Sequence, residues 1–192
     1  MHFSFYDASI KCYEQMLDST AKVLKKGQQH AESAGIPLSE IVDYRLHETM
    51  LPFSFQVISI WHHSLGAVNG MRAGVFTPPP SKPGIDYQGL RALIDEAIEG
   101  IRAETPDSAA QLSGQEMIFR LGDTEIPFTT DHFLASFSKP NLYFHATTTY
   151  SILRALGTPL GKRDILGAMR IGHKHVCRRQ WRGSRLWRGL LG

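Results

Sequence analysis

Five of the nine histidines (His47, His62, His63, His132 and His145) fall in or beside stretches that read as helix. Imidazole does two jobs near neutral pH. It takes or gives a proton, and it ligates zinc or nickel through a ring nitrogen. A catalytic zinc or nickel site needs three protein ligands and an open position. Around His145 the polar residues are dense: Asn141, Tyr143, Thr148 and Tyr150 sit on or beside an otherwise apolar helix. Gln56 lies between Phe55 and Val57 on the helix expected to face it. Buried polar groups cost free energy unless they are paired. Such a cluster between helices is therefore either a satisfied structural network or a small-molecule pocket. Gln56, Asn141, Tyr143, His145 and Tyr150 are the expected pocket residues, with His145 as the candidate catalytic acid or base.

Other chemistry finds less support. His62 and His63 are neighbours on a helix and point about 100° apart, so one of them is expected to face outward. Gly161-Lys162-Arg163-Asp164 lacks the strand–loop–helix setting of a phosphate loop. Arg163 and Asp164 are expected to pin the chain end by ion pairing. There is no Gly-x-Ser-x-Gly and no Cys-x-x-Cys. Cys12 and Cys177 make no disulfide framework. Cys12 has no placed His–Asp partner and is a poor nucleophile. A reduced, cytoplasmic setting follows as the default.

Four helical stretches must position these residues. In the first, Ser4 and Asp7 form a capping-box pattern. Tyr6, Ile10, Tyr13, Leu17, Ala21 and Leu24 then recur at helical spacing, and the helix should end near Gly35. The second is expected from about His47 to Arg72, with Met50, Phe53, Val57, Trp61, Leu65 and Val68 as its stripe. The proline-rich run Thr77 to Gly84 reads as an extended crossover. A third helix spans about Tyr87 to Glu104 through Leu90, Ile94, Ala97 and Ile101. The period then changes to alternation over Glu116–Leu121 and Thr124–Phe128. With Gly122-Asp123 between them, this predicts a β-hairpin with Pro127 on an edge. The fourth helix is expected to be capped by Thr130 or Asp131 and stopped by Gly157 and Pro159. Its large residues are Phe133, Leu134, Phe137, Phe144, Tyr150, Leu153 and Leu156. Pro140 either kinks it or starts a new helix with Ser138 as cap.

The fourth stretch also carries a resemblance. Leu153, Arg154 and Gly157 are similar to the ending of the last helix in DinB-like four-helix bundles. Pro140-Asn141-Leu142-Tyr143-Phe144-His145, followed by Gly161-Lys162-Arg163-Asp164, resembles more closely one branch of that superfamily. That branch is an uncharacterised domain-of-unknown-function family found in bacteria and fungi. Arg45-Leu46, Met50-Leu51-Pro52 and Phe55-Gln56-Val57 resemble the same family. The likeness runs from about residue 3 to 167. It implies, together with the periodicity, an all-α fold: a DinB-like up-and-down four-helix bundle with a small β-hairpin between helices three and four. Metal-binding relatives use three histidines. The alignment places His145 at one of these positions and His47 near another, while Asn141 stands where the third should be. An amide oxygen is a poor ligand for zinc or nickel. Glu48 substitutes only if it faces inward. A divalent metal is therefore disfavoured, no cofactor is expected, and His47 and His145 are left as weak metal candidates.

Composition sets the remaining bounds. The 192 residues suffice for one domain with a core, and 42% are hydrophobic. No apolar run is long enough to span a bilayer. The first residues lack a signal-peptide layout. Residues 168–192 hold seven of the 21 basic residues and no acid, which leaves the rest with 14 basic and 18 acidic residues, a net charge of −4. The chain is thus expected to divide into a bundle domain, 1–167, and a basic tail, 168–192. The tail's Trp181 and Trp187 among arginines suit non-specific contact with anionic surfaces. His173, His175 and Cys177 would make only a weak metal site there. The tail is expected to be disordered, and no specific nucleic acid is expected as partner. Three functions compete: an interhelical small-molecule pocket around His145, a metal- or thiol-cofactor-dependent enzyme, and a non-catalytic protein that dimerises through helices. The first is preferred.

Overall fold

A computed structural model describes residues 3–171. Helix α1 (Phe5–Ala8) opens with the expected capping box. Ser4 accepts from the Asp7 N–H, and the Asp7 carboxylate accepts from the Ser4 N–H. A break at Ser9 separates it from α2 (Ile10–Ala34), because Ser9 leaves ideal helical dihedrals at ψ −79°. Gly35 ends α2 at φ 69°, in the left-handed region where only glycine is free of strain. A short α3 (Leu38–Asp43) follows.

The second long helix begins at Phe53, not near His47, because Pro52 starts it and residues 44–52 form a loop. It runs as α4 (Phe53–Trp61), a π turn (His62–Gly66) and α5 (Ala67–Ala73) without leaving helical dihedrals. Helix α6 (Tyr87–Arg102) is capped by Asp86 and buries Leu90, Ile94, Ala97 and Ile101 as the periodicity requires. A short α7 (Pro106–Ala110) leads to the hairpin.

Strands β2 (Glu116–Leu121) and β3 (Thr124–Thr129) pair antiparallel, with Ile118 opposite Pro127 on the edge strand. They are not alone. The two-residue β1 (Val75–Phe76) pairs parallel to β2, so the hairpin is part of a three-stranded sheet in the order β1-β2-β3. The molecule is mostly helical with this small sheet, whereas a sequence pattern two residues long carries no strand signal.

The fourth stretch is α8 (Thr130–Phe133), a second π turn (Leu134–Ser138) and α9 (Lys139–Ala155). Its cap is Thr129, one residue before the expected pair. Thr130 and Asp131 are occupied elsewhere, bonding Leu112 O, Ser113 Oγ and the Gly114 N–H. Pro140 neither breaks the helix nor has Ser138 as a cap. Ser138 keeps helical dihedrals and makes no capping bond. The π turn just before Pro140 widens the helix where the missing proline N–H would otherwise disrupt the ladder. It also moves the buried stripe, which runs Leu142, His145, Ala146, Thr149, Ile152 and Leu153 and leaves Phe144 56% exposed. Helix α10 (Lys162–Leu166) is held by Asp164, which bonds Lys26 at 2.7 Å.

Helix α2 packs on α6 and α9, and α4 packs on the same two. The sheet lies beside the π turns. Phe76, Phe119 and Phe128 meet Phe133 and Phe137 there. Among the described residues, no helix is long and apolar enough to cross a membrane. Of the expected tail, residues 168–171 are described, and Arg170 bonds Asp7 O and Cys12 Sγ. The expectation of disorder for the rest, 172–192, and the tail histidines and Cys177 lie outside the described residues.

Candidate functional site

The most unusual polar arrangement lies between α4 with its π turn and α9 with the turn before it. His145, on the core face of α9, is 8% exposed. Its Nδ1 lies 2.8 Å from Gln56 Oε1. The orientation of that amide is set from its other end, where Gln56 Nε2 donates to Leu51 O at 2.9 Å. Gln56 therefore presents an acceptor, and His145 must carry its proton on Nδ1. The Nε2 lone pair is left free. Among the described residues nothing bonds Nε2, and it is not one of the sealed polar atoms lacking a partner. Burial holds His145 well below its ordinary value, at about 4, so the ring is neutral.

His62 and His63 are both buried, contrary to the expectation that one faces outward. The π turn that contains them inserts a residue into the helix and turns both rings inward. His62 Nε2 donates to Thr77 O at 2.7 Å, and its ring stacks on Phe76 at 4.3 Å. Gly66 leaves it room: a Cβ there would stand 2.9 Å from His62 Nδ1. His63 stacks on His145, with ring centroids 5.9 Å apart and planes at 17°. Its Nδ1 is sealed from solvent and has no partner among the described residues. Burial, then the neighbouring His62 and His145, lower it to about 3. The two π turns are tied together across this layer. Ser138 Oγ donates to the His63 carbonyl at 2.8 Å and shares a 2.8 Å bond with the Tyr13 hydroxyl. Among the described residues Ser59 Oγ and Thr149 Oγ1, buried on α4 and α9, also lack partners.

The expected pocket residues divide. The structure brings Gln56 and His145 together. Asn141 shares the His145 face, but its amide donates to Phe137 O at 2.8 Å. Tyr143 and Tyr150 lie about 160° and about 140° round the helix from His145. Tyr143 is exposed, and burial together with Cys12 raises its phenol. Tyr150 accepts from Arg154 at 3.3 Å. Closeness in sequence on a helix does not mean a shared face. His63 is not among the expected pocket residues, because regular α geometry turns one of the His62–His63 pair outward and only the π turn brings both in.

Of the two expected metal candidates, His145 lies in this layer and His47 does not. His47 sits on the exposed loop, where its Nδ1 pairs with Thr49 Oγ1 at 2.9 Å, and Glu48 is exposed too. His132 is exposed. Among the described residues no three His, Cys, Asp or Glu side chains are grouped to hold a metal ion. Two clefts, of about 450 and about 470 Å³, lie elsewhere, one beside α3 and the proline-rich loop, the other between α5 and α7.

Residues 5–166 match the model of a family described as "Domain of unknown function (DUF1993)". The chain belongs to this family. A crystal structure of a DinB family member protein from Shewanella denitrificans is similar in fold, with a TM-score of 0.72 at 22% identity. The match covers 87% of this chain and 94% of that one. No curated protein matches the chain. Within the DUF1993 segment lie all the residues of the histidine layer: Gln56, His62, His63, Ser138 and His145.

Proposed function

We propose that this protein binds a small molecule in the seam between α4 and α9 of a DinB-like up-and-down four-helix bundle, with His145 as its principal polar contact. The observation that carries the reading is the bond chain Leu51 O–Gln56–His145. It costs two ordered side chains, and its result is a neutral imidazole with a free, oriented lone pair. The Nε2 atom is not sealed from solvent, so a ligand can reach that lone pair. The sealed Nδ1 of His63, which has no partner among the described residues, lies in the ring stacked on His145 and adds an unmet polar demand to the same layer.

Ligand-observed NMR with a diverse fragment set tests this. Hits should bind the wild type and lose affinity at least tenfold in a His145→Phe variant, which keeps the ring volume. An absence of hits, or hits indifferent to that change, would sink the proposal.

A further inference from the structure

The walls around His145 say what kind of molecule suits it. Phe55 meets its ring edge-on at 5.9 Å and Phe144 at 5.2 Å. Phe144 is exposed, and Phe137 lies 5.7 Å from the His63 ring. No charged group perturbs His145, whose proton affinity is lowered by burial alone. Among the described residues no charged side chain bonds Gln56, His63 or His145. An anion has no donor to offer the Nε2 lone pair, and a full charge loses more hydration against phenyl walls than a neutral donor does. The polar demand of the site is a single acceptor, the Nε2 lone pair that Gln56 leaves free. We infer that the site takes an uncharged ligand made of an apolar, aromatic-sized body and one O–H or N–H donor, of which a phenol is the simplest example. The body packs against Phe55 and Phe144 while the donor bonds His145 Nε2. An ether of the same shape would leave Nε2 unpaired, and a site built to hydrogen-bond a hydroxyl discriminates strongly against an analogue that lacks it.

This inference rests on the pocket reading above, and four matched probes separate the two. They are p-cresol, 4-methylanisole, p-toluate and 4-methylbenzylamine, which share a ring and a methyl group. At pH 7 they present a donor, no donor, an anion and a cation. Titration followed by the ¹⁵N shift of His145 should give p-cresol a dissociation constant at least tenfold below the other three. The Gln56→Glu variant supplies a second readout. A carboxylate beside Nδ1 would keep the ring protonated, convert Nε2 into a donor and move the preference to p-toluate. If 4-methylanisole binds wild type as well as p-cresol, or either ion binds better, the ligand class is wrong and the pocket stands. Failure of all four probes, with fragment hits that still need His145, also overturns the class alone. Failure of the probes and of the fragment screen together overturns both.

Discussion

At the scale of single residues, the histidine layer makes the fold sensitive to acid. His63 and His145 are held neutral in the folded state, with values of about 3 and about 4. In the unfolded chain they return to about 6.5. Below that pH the unfolded chain takes up protons that the folded one refuses. Stability is therefore full above about pH 6.5 and falls as pH drops toward 4. The slope is about 1.4 kcal/mol per pH unit for each histidine that stays neutral. Replacing His63 by Phe should flatten the fall by about one histidine's share, read between pH 6.5 and 5 before most carboxylates titrate. Equal slopes for wild type and variant in urea melts would show that His63 does not stay neutral in the fold. How legible this layer was depends on the residue. His145 and Gln56 could be singled out because each is a polar residue inside an apolar stripe. His63 could not, because its inward direction depends on a π turn that no side-chain pattern announces.

At the scale of elements, the two π turns are the feature that regular periodicity hides. Elements with ordinary chemistry were legible: the Ser4–Asp7 box, the Gly35 stop, the stripe of α6 and the Gly-Asp hairpin all follow from local rules. The fourth stretch was not, because its aromatic spacing pointed to Phe144 and Tyr150 as core. Adding a residue at Leu134–Ser138 instead buries His145 and Thr149 and leaves Phe144 outside. Ser138 fixes that register. It supplies a donor to the His63 carbonyl and an acceptor for the Tyr13 hydroxyl, in a place without solvent. Ser138→Ala strands both partners and should cost about 1–3 kcal/mol. Tyr13→Phe removes one of those stranded groups, so the double variant should be less destabilised than the sum of the two singles. Additive losses in a double-mutant cycle would mean that the bridge does not join the π turns.

At the scale of the whole molecule, the four long helical stretches converge at Gly27. Tyr87 of α6 donates its hydroxyl to Leu24 O of α2 at 2.8 Å and stacks on Phe53 of α4 at 5.8 Å. Leu153 of α9 reaches the same point. A Cβ on Gly27 would stand 2.8 Å from the Leu153 methyls and 2.8 Å from the Tyr87 hydroxyl. Glycine is the poorer helix former, so Gly27→Ala gains up to about 1 kcal/mol of helix propensity. Against that stands overpacking, which costs about 1–3 kcal/mol where neighbours cannot yield. Here both are fully buried, Leu153 at 0% and Tyr87 at 1% exposure, and the hydroxyl is fixed by its bond. Strain should outweigh propensity, and Gly27→Ala should lower the melting temperature by a few degrees, at about 2–4 °C per kcal/mol for a chain of this size. Tyr87→Phe tests the same point from the other side. Removing the hydroxyl loses one hydrogen bond, worth about 0.5–1.5 kcal/mol, but opens space for the alanine methyl. The double variant should then recover part of the Gly27→Ala loss. If Gly27→Ala raises the melting temperature instead, α9 and α6 can move away from α2.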